Sequence, residues 1–206
     1  MKGRLLAFGC SYTYGHGLSD CFIPISGKAG PNPSKHAWPA HLANTLGRTY
    51  RNVSHPGASN KHIWHEVVST EYKPDDIVII SWSHPDRWII IKDDHPVNSF
   101  IGPWMQDKIS KTFYKKFYDS RDMNVDFNLR MHHAKLYLDS VGVKNYHLVQ
   151  TSEHIDQLEW NSVELLTPKF FDIFVSLPAS QDGYHPNEQA HKKYADEIYK
   201  EIAEDL

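Results

Sequence analysis

Short apolar runs alternate along this chain with longer segments whose apolar residues recur at helical spacing. Five runs are strand candidates, at Arg4–Gly9, Thr49–Val53, Asp76–Trp82, Asn145–Gln150 and Ile173–Leu177. The stretch Ile77–Ile80 is apolar at every position, which is typical of a central strand buried on both faces of a sheet. The pattern therefore predicts a sheet against which helices pack.

Four segments are helix candidates, at Ala37–Leu46, Lys61–Glu71, Val125–Val141 and Pro186–Leu206. In the last of these, Pro186 suits the first turn, and apolar residues follow at helical spacing from Ala190 to Ile202. Strands that alternate with helices in this way predict an α/β fold with a mostly parallel sheet covered by helices on both faces.

The segment Lys92–Asp126 fits this alternation least well, because it combines many aromatic residues with many charges. Two interpretations stay open for it. It is either an ordinary helix with a long loop, or an insertion that walls or caps a site at the edge of the sheet, where long loops often bind ligands.

Composition restricts the class of protein. A chain of 206 residues, 40% of them hydrophobic, has the size of one globular domain, which we place at 1–206. The net charge of −3 gives no electrostatic reason to expect a nucleic-acid partner. The apolar stretch after Arg4 is too short for a signal-peptide core or a membrane span, and Cys10 and Cys21 are the only cysteines. We therefore expect a cytoplasmic protein with no membrane partner.

The sequence FGCSYTYG at residues 8–15 places Ser11 in a glycine-flanked turn after the first predicted strand. Open α/β sheets bind ligands at this carboxyl edge, so Ser11 is a candidate nucleophile. A phosphate-binding loop would need a Lys-Ser or Lys-Thr pair, and a dinucleotide-binding turn would need a different glycine spacing. Cys10 is a competing nucleophile, but neighbouring side chains on extended backbone point in opposite directions, so only one of the two should face the site.

The sequence DGYHPN at residues 182–187 supplies a carboxylate and an imidazole just before the last predicted helix. Asp182 can accept a hydrogen bond from one nitrogen of His185, which leaves the other nitrogen to take a serine proton. In the loop after the second predicted strand, Gly57 can present a backbone N–H to a developing oxyanion. The segment Ser81–Trp88 should emerge at the same edge of the sheet.

In this order, these four segments resemble the motifs of the SGNH (GDSL-type) hydrolases over nearly the whole chain. The resemblance implies a flavodoxin-like three-layer α/β/α fold and a catalytic triad of Ser11, Asp182 and His185. It also implies an oxyanion hole made from the N–H groups of Ser11 and Gly57 and an asparagine side chain.

The third segment departs from that family. The family pattern is Gly-x-Asn-Asp, whereas this chain has Ser-Trp-Ser-His at residues 81–84, so Ser83 stands where the oxyanion asparagine is expected. A serine hydroxyl can donate one hydrogen bond but is shorter than the amide, and His84 or Asn60 are alternative donors. Loss of one donor costs about 2.7–4 kcal/mol of transition-state stabilisation. The chain is therefore either an enzyme with a substitute donor or a catalytically weakened relative.

The expected substrate is a small-molecule or glycan ester, and analogy with the family suggests an O-acetyl group on a carbohydrate. Three tryptophans, Trp82, Trp88 and Trp104, could stack on a sugar ring. The alternative hypothesis is a binding module of the same fold whose aromatic loops hold a carbohydrate or a protein partner.

No cofactor is required for this chemistry, and we expect no metal site. The sequence has no His-Glu-x-x-His pattern, and Cys10 and Cys21 are too far apart in sequence for a zinc knuckle. Histidines such as His62, His65 and the pair His132-His133 are expected to pack or to face solvent.

Overall fold

The fold is built from short strands and a small number of longer helices. The structure, a computed structural model, describes residues 3–91, 99–150 and 163–206. Its strands are β1 (Leu5–Phe8), β2 (Phe22–Ile23), β3 (Lys28–Ala29), β4 (Tyr50–Asn52), β5 (Ile77–Trp82), β6 (Trp88–Ile90), β7 (Ser99–Ile101) and β8 (Lys144–Val149). Its helices are α1 (Ser11–Tyr14), α2 (Trp38–Leu46), α3 (Asn60–Ser69), α4 (Lys108–Lys116), α5 (Ser120–Ser140), α6 (Phe170–Phe174) and α7 (Glu188–Ile202), which a short 3₁₀ turn at Ala203–Asp205 extends.

The central sheet has four parallel strands in the order β4-β1-β5-β8. Counted along the chain, these are its second, first, third and fourth strands, so the order is flavodoxin-like. In such sheets the strand order reverses beside the first strand, and ligands bind in the crevice outside the carboxyl ends at that point. This topology places the crevice at the ends of β1 and β5.

Successive residues of the central strands face opposite helical layers, as side-chain alternation requires. Leu6 and Ile80 pack in the cluster formed with α3 and α5. Leu5 and Ile79 pack in the second cluster, formed with α2 and α7. All four side chains are completely buried, so the sheet is covered on both faces. The predicted three-layer α/β/α fold is therefore confirmed.

One predicted strand is wrong. The run Ile173–Leu177 is not extended, because Phe170–Phe174 forms the short helix α6 and a turn follows it. Phe170 is completely buried in the core, where its ring stacks on Tyr194 with 4.3 Å between the ring centroids, while Ile173 and Leu177 pack against the core partly buried. Val175 is 64% exposed, so the run Ile173–Leu177 lies against the surface of the core and does not cross it.

The described residues between β5 and α5 contain an antiparallel pair of strands and a helix, of which β7 and α4 lie within the segment Lys92–Asp126 and β6 precedes it. β6 pairs with β7, and α4 follows before α5 begins. Residues 92–98 of the predicted insertion lie outside the described residues. None of the described helices combines the length and the apolar character that crossing a membrane requires.

Candidate active site

Ser11 is the first residue of α1 and lies directly after β1. It lines a cavity of about 920 Å³ at the carboxyl edge of the sheet. Cys10 points the other way, into the core, where it is completely buried and its Sγ accepts a hydrogen bond of 2.7 Å from Nε2 of Gln150. Of the two candidate nucleophiles, therefore, only Ser11 faces the cavity.

Asp182 and His185 form a hydrogen-bonded pair on the wall of the same cavity. Nδ1 of His185 is 2.5 Å from Oδ2 of Asp182. The other carboxylate oxygen accepts backbone N–H bonds of 2.9 Å from Tyr184 and His185, and a bond of 3.0 Å from the hydroxyl of Ser180. Because a Cβ on Gly17 would lie only 2.9 Å from Cγ of Asp182, this loop packs tightly as well. The turn therefore fixes the carboxylate, and the carboxylate fixes the imidazole.

The electrostatics of this pair suit a general base. Burial alone would raise the pKa of Asp182, but N–H bonds from His185 and Tyr184 and the charge interaction with the imidazole outweigh it, and the pKa is about 2. Burial lowers the pKa of His185 although Asp182 opposes the shift, and His16 and Arg87 lower it further. At neutral pH the carboxylate is therefore ionised and the imidazole is neutral, so it can accept a proton.

Ser11 and His185 share the cavity without being hydrogen-bonded to each other within the described chain. The ring of Tyr12 packs edge-on against His185 at 5.5 Å, and the ring of His16 lies 4.5 Å from it. Bonds between a nucleophile and its base are often long in empty sites and tighten when substrate binds. The arrangement can therefore support proton transfer from Ser11 to His185.

Two backbone N–H groups are available to an oxyanion. Within the ranges that the structure describes, the N–H groups of Ser11 and Gly57 donate no hydrogen bond, and both residues line the cavity. Gly57 has a φ of +77°, a left-handed conformation that favours glycine. These are two of the three donors that the family resemblance implies.

The three residues that the sequence offers as a third donor, Ser83, His84 and Asn60, do not line the cavity. Ser83 is completely buried and does not line the cavity, and its hydroxyl has no hydrogen-bond partner among the described residues. The side chain of Asn60 bonds to the backbone of Ser83, accepting from its N–H at 2.7 Å and donating to its carbonyl at 3.0 Å. His84 also lies outside the cavity wall. Asn60 thus ties α3 to the turn after β5.

We expect the substitution Ser83→Ala to lower kcat by less than about tenfold, because the hydroxyl is buried outside the cavity. Steady-state kinetics on a 4-nitrophenyl ester, with melting temperature as the folding control, measure this. A loss of about 10²-fold in kcat at unchanged KM would instead assign this hydroxyl to the oxyanion.

The three tryptophans that the sequence suggested for ligand binding lie in three different environments. Trp82 is completely buried, packs against Phe127 at 5.8 Å and donates a hydrogen bond to His147, so it cannot stack on a ligand and that prediction is wrong. The physical reason is that Trp82 ends a central strand that is buried on both faces. Trp88 lies on β6 outside this cavity, whereas Trp104 lines it and is 52% exposed.

Among the cavity residues that sequence reasoning missed are two with basic side chains, His16 and Arg87. His16 follows the short helix that Ser11 begins, so its place in the sequence after Ser11 is a usable signal. Arg87 belongs to the segment after β5, which was expected at this edge of the sheet. The sequence therefore shows that the cation Arg87 follows a central strand, but it does not show which side chains contact Arg87.

Two groups of described residues bring three potential metal ligands within 4.8 Å of one another, namely His16, Asp182 and His185, and also His55, His62 and Glu66. In the first group, Nδ1 of His185 is already bonded to Asp182. In the second, His62 is buried, stacks on His55 at 4.7 Å and lies 3.4 Å from Glu66. His62 therefore packs against both of these neighbours.

Comparison with known proteins gives a result at the level of fold. No protein-family model and no curated protein matches the sequence. A solved structure described as a lipolytic protein of the G-D-S-L family, from Desulfitobacterium hafniense DCB-2, aligns with a TM-score of 0.58 at 12% identity and covers 96% of this chain and 98% of its own. A psychrotrophic esterase from a Pseudoalteromonas species aligns with a TM-score of 0.56 at 12% identity, over 98% of this chain and 97% of its own.

An acetyl xylan esterase from the rumen bacterium Butyrivibrio proteoclasticus aligns with a TM-score of 0.59 at 13% identity. The alignment covers 98% of this chain but only 64% of that protein. These likenesses show that the chain has the fold of the SGNH hydrolases, and the structures it is similar to are esterases and lipolytic proteins.

Proposed function

We propose that the chain is a serine esterase of the SGNH type that hydrolyses its substrate through an acyl-enzyme. The observation that carries this proposal is the Asp182–His185 pair, joined at 2.5 Å, on the wall of the cavity that Ser11 also lines. An ionised carboxylate, a neutral imidazole and a hydroxyl at one cavity are the components of nucleophilic acyl transfer.

The steps follow from these positions. His185 takes the hydroxyl proton as Oγ of Ser11 attacks the ester carbonyl carbon, and Asp182 stabilises the imidazolium that forms. The N–H groups of Ser11 and Gly57 donate to the oxyanion of the tetrahedral intermediate. When that intermediate collapses, the bond to the alcohol breaks and His185 returns the proton to the leaving oxygen. A water molecule, deprotonated by His185, then attacks the acyl carbon. The bond from that carbon to Oγ of Ser11 breaks, and His185 returns the proton to Oγ as the acid leaves.

A glycan ester, with an acetyl group as the acyl part, is the substrate class that we favour. Structures with a similar fold include the acetyl xylan esterase and a family two carbohydrate esterase from Clostridium thermocellum in complex with cellohexaose. Trp104 supports this choice, because its exposed ring on the cavity wall can stack on a sugar.

A binding module remains a second candidate function, favoured by one observation. None of Ser83, Asn60 and His84 brings a third oxyanion donor into the cavity. Turnover of 4-nitrophenyl acetate, measured beside a tryptophan-fluorescence titration with cellohexaose, separates the two functions. The esterase proposal requires turnover above the buffer rate, whereas glycan binding without turnover of any short-chain ester would favour the module.

The pH dependence of kcat/KM should reveal His185. Because only the neutral imidazole can accept the proton, activity should rise with pH, and burial should place the midpoint below the ordinary histidine value of about 6.5. Rates between about pH 5 and pH 8, corrected for spontaneous hydrolysis, measure this. A flat profile, or a midpoint above the ordinary value, would contradict the assignment of His185 as the base.

A further inference from the structure

Arg87 brings a positive charge to the cavity wall, and within the described residues no carboxylate pairs with it. Its side chain lines the cavity beside Ser11 and His185. The Nε and Nη1 atoms of its guanidinium are buried and have no hydrogen-bond partner among the described residues. A guanidinium stays charged at every physiological pH, and withdrawing its N–H groups from water is unfavourable unless they are hydrogen-bonded. Two nitrogen atoms of the Arg87 guanidinium therefore lack a hydrogen-bond partner within the described chain.

The guanidinium is nevertheless held in a defined place. Its carbon lies 4.8 Å from the centre of the Trp104 ring, a cation–π contact. The Trp104 ring is 52% exposed but lies close to two glycines, since a Cβ on Gly102 would lie 2.5 Å from the indole and one on Gly57 would lie 4.0 Å from it. The Trp104 ring therefore fixes Arg87 near the loop that presents the N–H of Gly57.

No carboxylate of the described chain forms an ion pair with Arg87. Asp182 is engaged by His185, Tyr184 and Ser180. Asp86, the residue before Arg87, has one carboxylate oxygen that is buried without a partner in the described chain. Burial raises the pKa of this acid, although the charge of Arg87 opposes the shift. Burial raises the pKa of Tyr12 and lowers that of His185, and Arg87 makes a smaller downward contribution to both pKa values, as expected of a nearby cation.

We propose that Arg87 forms an anion subsite and that the natural substrate is an ester carrying a carboxylate close to the bond that is hydrolysed. This proposal rests on the proposed esterase function. The carboxylate would pair with the charge of the guanidinium where Arg87 lines the cavity, while Trp104 contacts the rest of the substrate. Arg87 then determines specificity, and the oxyanion remains with the N–H groups of Ser11 and Gly57.

Matched ester pairs test this subsite. On the acyl side, mono-4-nitrophenyl glutarate differs from 4-nitrophenyl pentanoate by a carboxylate in place of a methyl group. On the alcohol side, 4-acetoxybenzoate differs from phenyl acetate by a carboxylate. For at least one pair, wild-type kcat/KM should favour the anionic ester by about tenfold or more, after correction for the intrinsic reactivity of each ester in buffer.

Three variants complete the experiment. Arg87→Gln should abolish the preference for the anionic ester, Arg87→Lys should keep part of it, and Arg51→Gln, which removes the same charge from an exposed position on β4, should keep all of it. If Arg87→Gln keeps the wild-type ratio, or slows both members of each pair by the same factor, the anion subsite is wrong.

A binding measurement keeps the subsite independent of catalysis. In a Ser11→Ala background, glutarate should change tryptophan fluorescence, because Arg87 lies on Trp104. The additional substitution Arg87→Gln should abolish that change. If no ester is hydrolysed by the wild-type protein, the esterase proposal fails while this titration still decides the subsite. An equal response with and without Arg87 would overturn the subsite.

Discussion

Replacing Ser11 with alanine should reduce the hydrolysis of 4-nitrophenyl acetate by about 10⁶-fold, to the rate that the remaining site can support. The hydroxyl is the proposed nucleophile, and it makes no hydrogen bond within the described chain that the fold would lose. We therefore expect the melting temperature to stay close to that of the wild-type protein. The loss should lie in kcat, measured with enzyme free of contaminating esterases.

Cys10→Ala is the matched control for this substitution, because it changes the neighbouring candidate nucleophile. Cys10 is buried in the core and bonded to Gln150, so its removal should cost about 1–3 kcal/mol of stability. Most of the esterase activity should nevertheless remain below the melting temperature. If Cys10→Ala is inactive while Ser11→Ala is active, the nucleophile has been assigned to the wrong residue.

Asp182→Asn should lower kcat by about 10⁴-fold, less than the loss of Ser11. The asparagine carbonyl can still accept the N–H bonds of Tyr184 and His185, so the turn should persist. The amide NH₂ that replaces the second oxygen cannot accept the Nδ1 proton of His185, and it carries no charge to stabilise the imidazolium. Geometry should therefore survive while the support of the base is lost.

The pH profile of the Asp182 variant gives a second readout that a merely structural role would not change. The charge of Asp182 raises the pKa of His185 against the stronger effect of burial. Without that charge, the midpoint of kcat/KM should move to lower pH. The control is Asp196→Asn, which removes the same charge from an exposed position on α7 and should leave both rate and midpoint unchanged. An unshifted midpoint in the Asp182 variant would contradict the proposed pairing.

The sequence predicted the features that depend only on residues close to one another along the chain. The continuous apolar run of β5 is buried on both faces, and backbone alternation sends Cys10 into the core and Ser11 to the cavity. The spacing of Asp182 and His185 within one turn likewise gives the 2.5 Å hydrogen bond. Each of these features involves residues that are close in sequence.

Features that depend on distant contacts could not be predicted in the same way. The setting of Arg87 depends on Trp104, which reaches it across the β6–β7 pair. The burial of Ser83 depends on Asn60, which bonds to its backbone from α3. The burial of Trp82 could have been predicted, because this residue ends a run that is itself predicted to be a buried strand. Its residue type alone is not evidence for contact with a ligand.

Labelling with a fluorophosphonate, followed by intact-mass and peptide analysis, tests whether Ser11 is an activated nucleophile. We expect one adduct per chain, located on Ser11, that is absent from Ser11→Ala and forms much more slowly in Asp182→Asn. Failure of the wild-type protein to label, or an adduct on any other residue, would contradict the assignment of Ser11 as the nucleophile.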